Sequence, residues 1–174
     1  DGFVGSHLTD RLIEAGADVH IIARATSSGE PKNIRHRTEE VTVHRADLRD
    51  PHSVKRALSA LEGYSDTLIF HLAAQSRVGE SWERPYETID TNIKGTLNLL
   101  QSIVDLDLDI AKFDTAGTSE EYGNVKDEMA EKHDFEEDGR VLLSERSPVN
   151  PTSVYATSKL AADFLTMNYH DAYG

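Results

Sequence analysis

Apolar runs of strand length alternate with helix-period stripes along the whole chain, and this rhythm restricts the fold more than any single residue does. GSHLTDRLIEA (5–15) sets Leu8 and Leu12 on one face and stops at Gly16, the pattern of a helix closed by glycine. VHIIA (19–23) and VTVH (41–44) read as short strands, and PHSVKRALSALEG (51–63) as a helix with proline in its first turn and a closing glycine. TLIFHLAA (67–74) is the strongest strand, and IAKFDTAG (110–117) is a further one. Between them Ile89, Ile93, Leu97, Leu100 and Val104 form the apolar stripe of a long helix. A last helix starts after Pro151, capped by Thr152 or Ser153, and runs to about Tyr169.

Strand–helix alternation implies an α/β fold, a Rossmann-like doubly wound parallel sheet covered on both faces, with ligands at the carboxyl ends of the strands. No repeat or linker divides the chain, so one domain over 1–174 is expected, with an acidic insertion at about 124–147. The pattern holds no strand ahead of DGFVG and no segment beyond the last helix, so the sheet is expected to lack its first strand and a C-terminal substrate-binding segment.

The chemistry of the ligand is constrained by charge. With 18 Lys+Arg against 31 Asp+Glu the formal charge is −13, which repels nucleic acid and anionic membrane at long range. No apolar stretch approaches the roughly 20 residues of a bilayer span, and the first residues carry no basic leader. A soluble, cytoplasmic protein is therefore expected. Cysteine is absent, which removes thiolate catalysis, disulfides and thiolate metal sites. Asp127, Glu128, Glu131, Asp134, Glu136, Glu137 and Asp138 read as a solvated surface run whose spacing fits no compact calcium loop. The eight histidines lack ligand spacing, and His71 reads as a buried strand residue; no metal is expected.

Gly2 and Gly5 open the first helix, where a backbone free of side chains lets a pyrophosphate approach the helix N-terminus. A tight turn would use the same pair. The second strand ends in Arg24, followed by Ala25, Thr26, Ser27 and Ser28, with no acidic residue to hold a ribose 2′-hydroxyl. An arginine there suits a 2′-phosphate, so NADP is expected, with NAD possible. Asp47, after the next strand, is placed either to meet the adenine or to cap the following helix.

Tyr155 and Lys159 in SVYATSK are four apart and share a helix face. A lysine ammonium beside a phenol favours the phenolate, a base able to take a proton from a substrate alcohol.

Gly2-x-x-Gly5, HLAAQS (71–76), NIKGT (92–96), TSEEYG (118–123) and NPTSVYATSK (150–159) occur in the order and spacing of the extended short-chain dehydrogenase/reductases, the NAD-dependent epimerase/dehydratase group. The chain resembles their nucleotide-binding half. It is most similar to the nucleotide-sugar 4,6-dehydratases, and among them to the GDP-mannose 4,6-dehydratases, through AQSRVGESWERP (74–85), the Thr-Ser-Glu triplet and NYHDAYG (168–174).

The resemblance implies that Gly2, Gly5, Arg24, Asp47, Leu48, Leu72, Ala73, Ala74, Tyr155 and Lys159 bind the cofactor. Ser76, Thr118, Ser119 and Glu120 would meet the sugar. It further implies that Tyr155 is the base for oxidation at C4, supported by Lys159, while Thr118 hydrogen-bonds the C4 oxygen. Glu120 would remove the C5 proton and help expel the C6 hydroxyl, hydride then returning to C6 to give a 4-keto-6-deoxy sugar. Ser119 stands where dTDP-glucose dehydratases carry an aspartate, Asn92 matches the family's structural helix asparagine, and Glu121 replaces a usually apolar residue and is given no role. The first glycine of the motif is absent and the acidic insertion is atypical, which leaves the exact sugar open. Homodimers or homotetramers are the family's habit, through the 89–104 and 151–169 helices. A sibling 4-epimerase or UDP-glucuronate decarboxylase, or a non-catalytic cofactor-binding regulator, would share much of this pattern.

Overall fold

A computed structural model describes residues 2–24, 31–124 and 133–174. Ala25, Thr26, Ser27 and Ser28, with Asp127, Glu128 and Glu131 of the acidic run, lie outside the described residues.

Helix α1 (Phe3–Glu14) leads to strand β1 (Val19–Ala23), which pairs in parallel with β2 (Val41–Arg45) in the register Val19↔Val41 to Ala23↔Arg45. Helix α2 (Pro51–Leu58) begins as the sequence predicts, with Asp50 as its N-cap, and gives way to a 3₁₀ turn at Ser59–Leu61. Strand β3 (Thr67–His71) follows and pairs in parallel with β4 (Ile110–Thr115). Between these two strands run α3 (Val78–Glu83), α4 (Pro85–Ile89), a π-helical turn (Asp90–Lys94) and α5 (Gly95–Asp105). Beyond β4, the two-residue strands β5 (Asp134–Phe135) and β6 (Val141–Leu142) make an antiparallel hairpin within the predicted insertion. The chain ends in α6 (Val154–Tyr173), four residues longer than its sequence pattern and capped by Ser153, whose hydroxyl accepts the Ala156 N–H at 3.0 Å.

The Rossmann-like α/β alternation is thus present, with its parallel strands arranged as two pairs, β1–β2 and β3–β4. One core joins them. Leu48, Val54, Leu58 and Leu99 are buried together, and Ile22 of β1 and Phe113 of β4 both pack against this cluster. Gly95 allows the approach, since an added Cβ would lie 2.9 Å from Leu48 Cβ. Cover over the strands is incomplete among the described residues: Leu68 of β3 is 53% exposed.

The long helix departs from its predicted stripe. Thr88, Asn92 and Thr96 are buried, whereas Ile89, Ile93 and Leu97 are half-buried. The polar face turns inward because its groups find partners. Thr88 Oγ1 donates to the Arg84 carbonyl at 3.0 Å, and Thr96 Oγ1 donates to the Asn92 carbonyl at 2.7 Å. Satisfied hydroxyls cost little to bury, so hydrophobic period alone misjudged the face by one position over residues 88–97, while Leu100 farther along the stripe is buried as expected.

His71 lies in the strand core as the sequence suggests, with its Nε2 2.8 Å from Thr96 Oγ1. The Thr96 proton is already given to Asn92, so Thr96 accepts and His71 is the neutral Nε2–H tautomer. Burial, and then the nearby Lys159 charge, push the imidazole down to about 4. An unfolded histidine protonates near 6.5, so stability is fully present above that pH and falls as pH drops toward 4. His71 alone contributes a slope of up to roughly 1.4 kcal/mol per pH unit in this window. Urea unfolding between pH 7 and 4.5 measures it, and His71→Gln, which retains a donor, flattens the decline.

Candidate active site

Three structural features lie near the carboxyl ends of the strands. The first is the N-terminus of α1. Gly2 is its N-cap, no side chain caps it, and its first turn carries no acidic residue. The leading N–H groups are therefore available to an anion. A Cβ added to Gly2 would meet nothing within 4 Å, and one on Gly5 would just touch Leu72 Cδ1 at 4.0 Å. The glycines thus leave the approach to the helix end open from outside, and Leu72, just past β3, borders it. Ala73 and Ala74 continue that segment.

The second is a cavity of about 690 Å³ at the ends of β1 and β2, lined by Arg24, Arg45, Asp47, Arg49, Ser53 and Arg56 among others. Arg24 was expected here; Arg45, Arg49 and Arg56 were not. They are dispersed in sequence and share no motif spacing. Asp47 is gripped by Arg49, whose Nε and Nη2 donate to the two carboxylate oxygens at 2.9 and 2.6 Å. That fork, with the Arg49 N–H, drives Asp47 down to about 2 and keeps it ionised. Helix capping falls to Asp50, which resolves the second reading of Asp47. Leu48 turns its side chain into the core, and its carbonyl accepts from Asn98 Nδ2 at 2.7 Å.

The third joins the segment after β4 to α6. Thr118 caps a 3₁₀ turn, Ser119–Glu121, with its hydroxyl accepting the Glu120 N–H at 3.3 Å. The turn packs against α6. Ser119 and Glu120 are exposed and Thr118 is half-buried, so the triplet presents its side chains outward beside the helix. Tyr155 sits half-buried in the first turn of α6; Lys159, one turn on, is 6% exposed. Burial lowers the Lys159 ammonium, while Glu121 and Asp163 oppose that shift. Of the two adjacent glutamates, the one that acts electrostatically on the lysine is Glu121, which the sequence left without a role, together with Asp163 of α6.

Ser76 is exposed between β3 and α3. Its neighbour Gln75 is pinned by Asn92. Asn92 Oδ1 accepts the Gln75 N–H at 2.8 Å, and Nδ2 donates to the Gln75 carbonyl at 3.0 Å and to Ser158 Oγ at 2.9 Å. Asn92 therefore fixes the segment after β3 against the residue preceding Lys159. Histidines 20 and 44 also meet, Nδ1 to Nε2 at 3.0 Å across β1 and β2, though among the described residues no three potential ligands cluster as a metal site.

Comparison with known proteins fits this geometry. The family model described as GDP-mannose 4,6 dehydratase matches residues 1–174. GDP-mannose 4,6 dehydratase 1 of Arabidopsis thaliana is 32% identical over 98% of this chain and 45% of its own length. The GDP-mannose 4,6-dehydratase of Vibrio cholerae serotype O1 is 34% identical over 98% of this chain and 43% of its own. The chain thus spans less than half the length of these relatives. Among solved structures, the NAD complex of Thermus thermophilus UDP-glucose 4-epimerase superposes with a TM-score of 0.78 at 29% identity, covering 99% of this chain and 49% of that one. DesIV, a dTDP-glucose 4,6-dehydratase from Streptomyces venezuelae solved with NAD bound, gives 0.77 at 29% identity, over 99% of this chain and 50% of its own. By this match along its whole length, the chain belongs to the GDP-mannose 4,6-dehydratase family.

Proposed function

We propose that the protein serves as a nucleotide-sugar 4,6-dehydratase acting on GDP-mannose, with residues 1–174 as one nucleotide-binding domain. The observation that carries this reading is the Thr118–Glu121 turn seated on α6, the helix that bears Tyr155 and Lys159. Epimerisation at C4 needs only a base and a hydroxyl beside the C4 oxygen. A carboxylate alongside them supports a second proton transfer, at C5.

In this reading Tyr155 acts as the phenolate and removes the C4 hydroxyl proton, becoming the neutral phenol, and the Lys159 ammonium one turn away favours the phenolate that starts the step. Thr118, fixed as a cap, donates to the C4 oxygen. Glu120, exposed beside it, takes the C5 proton made acidic by the adjacent ketone and then protonates the departing C6 hydroxyl. Ser119 and Ser76 line the sugar side.

A nicotinamide cofactor supplies, when bound, the hydride acceptor and donor for this chemistry. The residues present fit such a group. Gly2 and Gly5 leave the α1 N-terminus open to a pyrophosphate, Leu72, Ala73 and Ala74 flank it, and Asp47 and Leu48 border the adenosine side. NADP rather than NAD is favoured by the guanidinium groups around the cavity, whose forks match phosphate oxygens. No described helix is long and apolar enough to cross a membrane, in keeping with a cytoplasmic enzyme. Exposed Tyr86, Phe164 and Met167 on α4 and α6 support association into a homodimer or homotetramer through these helices.

Two experiments test the reading. Incubation of the protein with GDP-mannose in heavy water gives a product lighter by one water and deuterated at C5, by mass spectrometry and NMR. Glu120→Gln lowers that kcat by about 10²-fold or more; an epimer or a decarboxylated sugar would replace this reading with its siblings. Separately, Arg24→Ala and Arg49→Ala each weaken NADP⁺ binding by about tenfold, roughly 1.4 kcal/mol, and leave NAD⁺ binding within about twofold, by calorimetric titration. Equal losses for both cofactors would assign the arginines to the shared part of the nucleotide.

A further inference from the structure

Two adjacent glutamates in TSEE meet opposite environments. Glu120 is exposed, while Glu121 is 8% exposed. Its Oε1 accepts the Thr118 N–H at 3.1 Å, and its carbonyl accepts the Asn150 N–H at 2.8 Å from the segment that leads into α6. Close glycines frame the turn. A Cβ on Gly117 would lie 3.5 Å from Glu121 Oε1, and one on Gly123, at φ +59°, would overlap the Asn150 carbonyl oxygen. The side chain is therefore held on the inner side of the turn.

That side faces charge. The turn packs against α6, whose Lys159 and Asp163 act on Glu121 electrostatically, and Lys159 acts in the same way on His71 of β3. Burial pushes the Glu121 carboxyl up, opposed by the Thr118 N–H and by Lys159; burial pushes Lys159 down, opposed by Glu121 and Asp163. A buried ammonium is costly unless carboxylates compensate it. An apolar residue at 121 would fill the space, but it would leave the Thr118 N–H without its acceptor and Lys159 facing Asp163 alone.

We propose that Glu121 is a positioning residue whose buried carboxylate holds the Thr118 cap and, across the contact of the turn with α6, compensates the buried Lys159 ammonium. The two sides of the reaction centre are then set together. Thr118 cannot shift without moving the group that compensates Lys159. The consequence for catalysis rests on the dehydratase reading; the linkage itself does not.

Two variants separate its parts. Glu121→Gln keeps an acceptor for Thr118 and removes the charge, and Glu121→Leu removes both. The ¹³Cε resonance of Lys159, followed across pH, reports its ionisation, and amide exchange reports the Thr118 N–H. In Glu121→Gln the Lys159 midpoint falls by about half a pH unit or more, the direction expected when a nearby opposite charge is lost, while Thr118 protection persists. In Glu121→Leu the midpoint falls likewise and Thr118 exchange accelerates by about tenfold or more. An unchanged Lys159 midpoint in either folded variant, or unchanged Thr118 protection in Glu121→Leu, overturns the proposal. Neither readout involves turnover, so failure of the dehydratase reading, seen as absent C5 deuterium, is a distinct result.

Discussion

The buried amide of Asn92 is the interaction on which the rest of the site geometry depends. Its three hydrogen bonds fasten the backbone of Gln75, just past β3, to Ser158 on α6, and the residue is 2% exposed. Every donor and acceptor of the amide except one oxygen lone pair is engaged, so its orientation is dictated by its partners. Ser158 passes the order on by donating to the Tyr155 carbonyl at 2.7 Å. The π-helical turn at Asp90–Lys94 places the amide there, a local widening of a long helix of the kind that recurs at functional sites. An apolar residue at 92 would leave the half-buried N–H and carbonyl of Gln75 without these partners, at a cost toward the lower end of about 1–3 kcal/mol for each. It would also release the segment that carries Leu72, Ala73 and Ala74.

Around this amide the interior is unusually polar for a strand–helix contact. Thr88, Thr96, His71 and Ser158 are all buried, and each has a partner. Such a network fixes one arrangement, because a shifted helix would strand several groups at once. The apolar cluster of Leu48, Val54, Leu58 and Leu99 lies on the other side of α5 and supplies cohesion rather than register. Division of labour follows: the α2 side of the helix holds the domain together, and the α6 side holds the candidate site in place.

Much of this was legible in the sequence. All four long strands were placed to within a few residues, because short apolar runs bounded by glycine and polar turns have few alternatives in an alternating chain. The Ser153 cap and the Tyr155–Lys159 pair were readable for the same reason, being local. What failed was non-local. The inward face of the 88–96 segment depends on partners outside it, His71 of β3 for Thr96 and Gln75 and Ser158 for Asn92. The His20–His44 contact joins residues 24 apart, and the guanidinium groups of Arg24, Arg45, Arg49 and Arg56 converge only because β1 and β2 are parallel and in register. Glu121 was given no role because it stands where an apolar residue is usual, yet a 3₁₀ turn sends successive side chains in different directions and buries it while Glu120 stays exposed.

Electrostatics also looks different once it is localised. A formal charge of −13 repels anions at a distance, yet a nucleotide sugar and a dinucleotide both carry phosphates. The screening length at physiological salt is about 8 Å, so the charges spread over the surface act weakly on a ligand already at the cavity mouth. Within that range the arginines dominate, with Asp47 already neutralised by the fork of Arg49. Asp50 remains near them, but it is committed to the N-terminus of α2 through His52. The acidic residues of 134–138 lie on the hairpin, where Asp138 and Glu136 are drawn off by Arg140. Net charge therefore sets the long-range repulsion of anions, while the placement of a few guanidinium groups sets where an anion can be held.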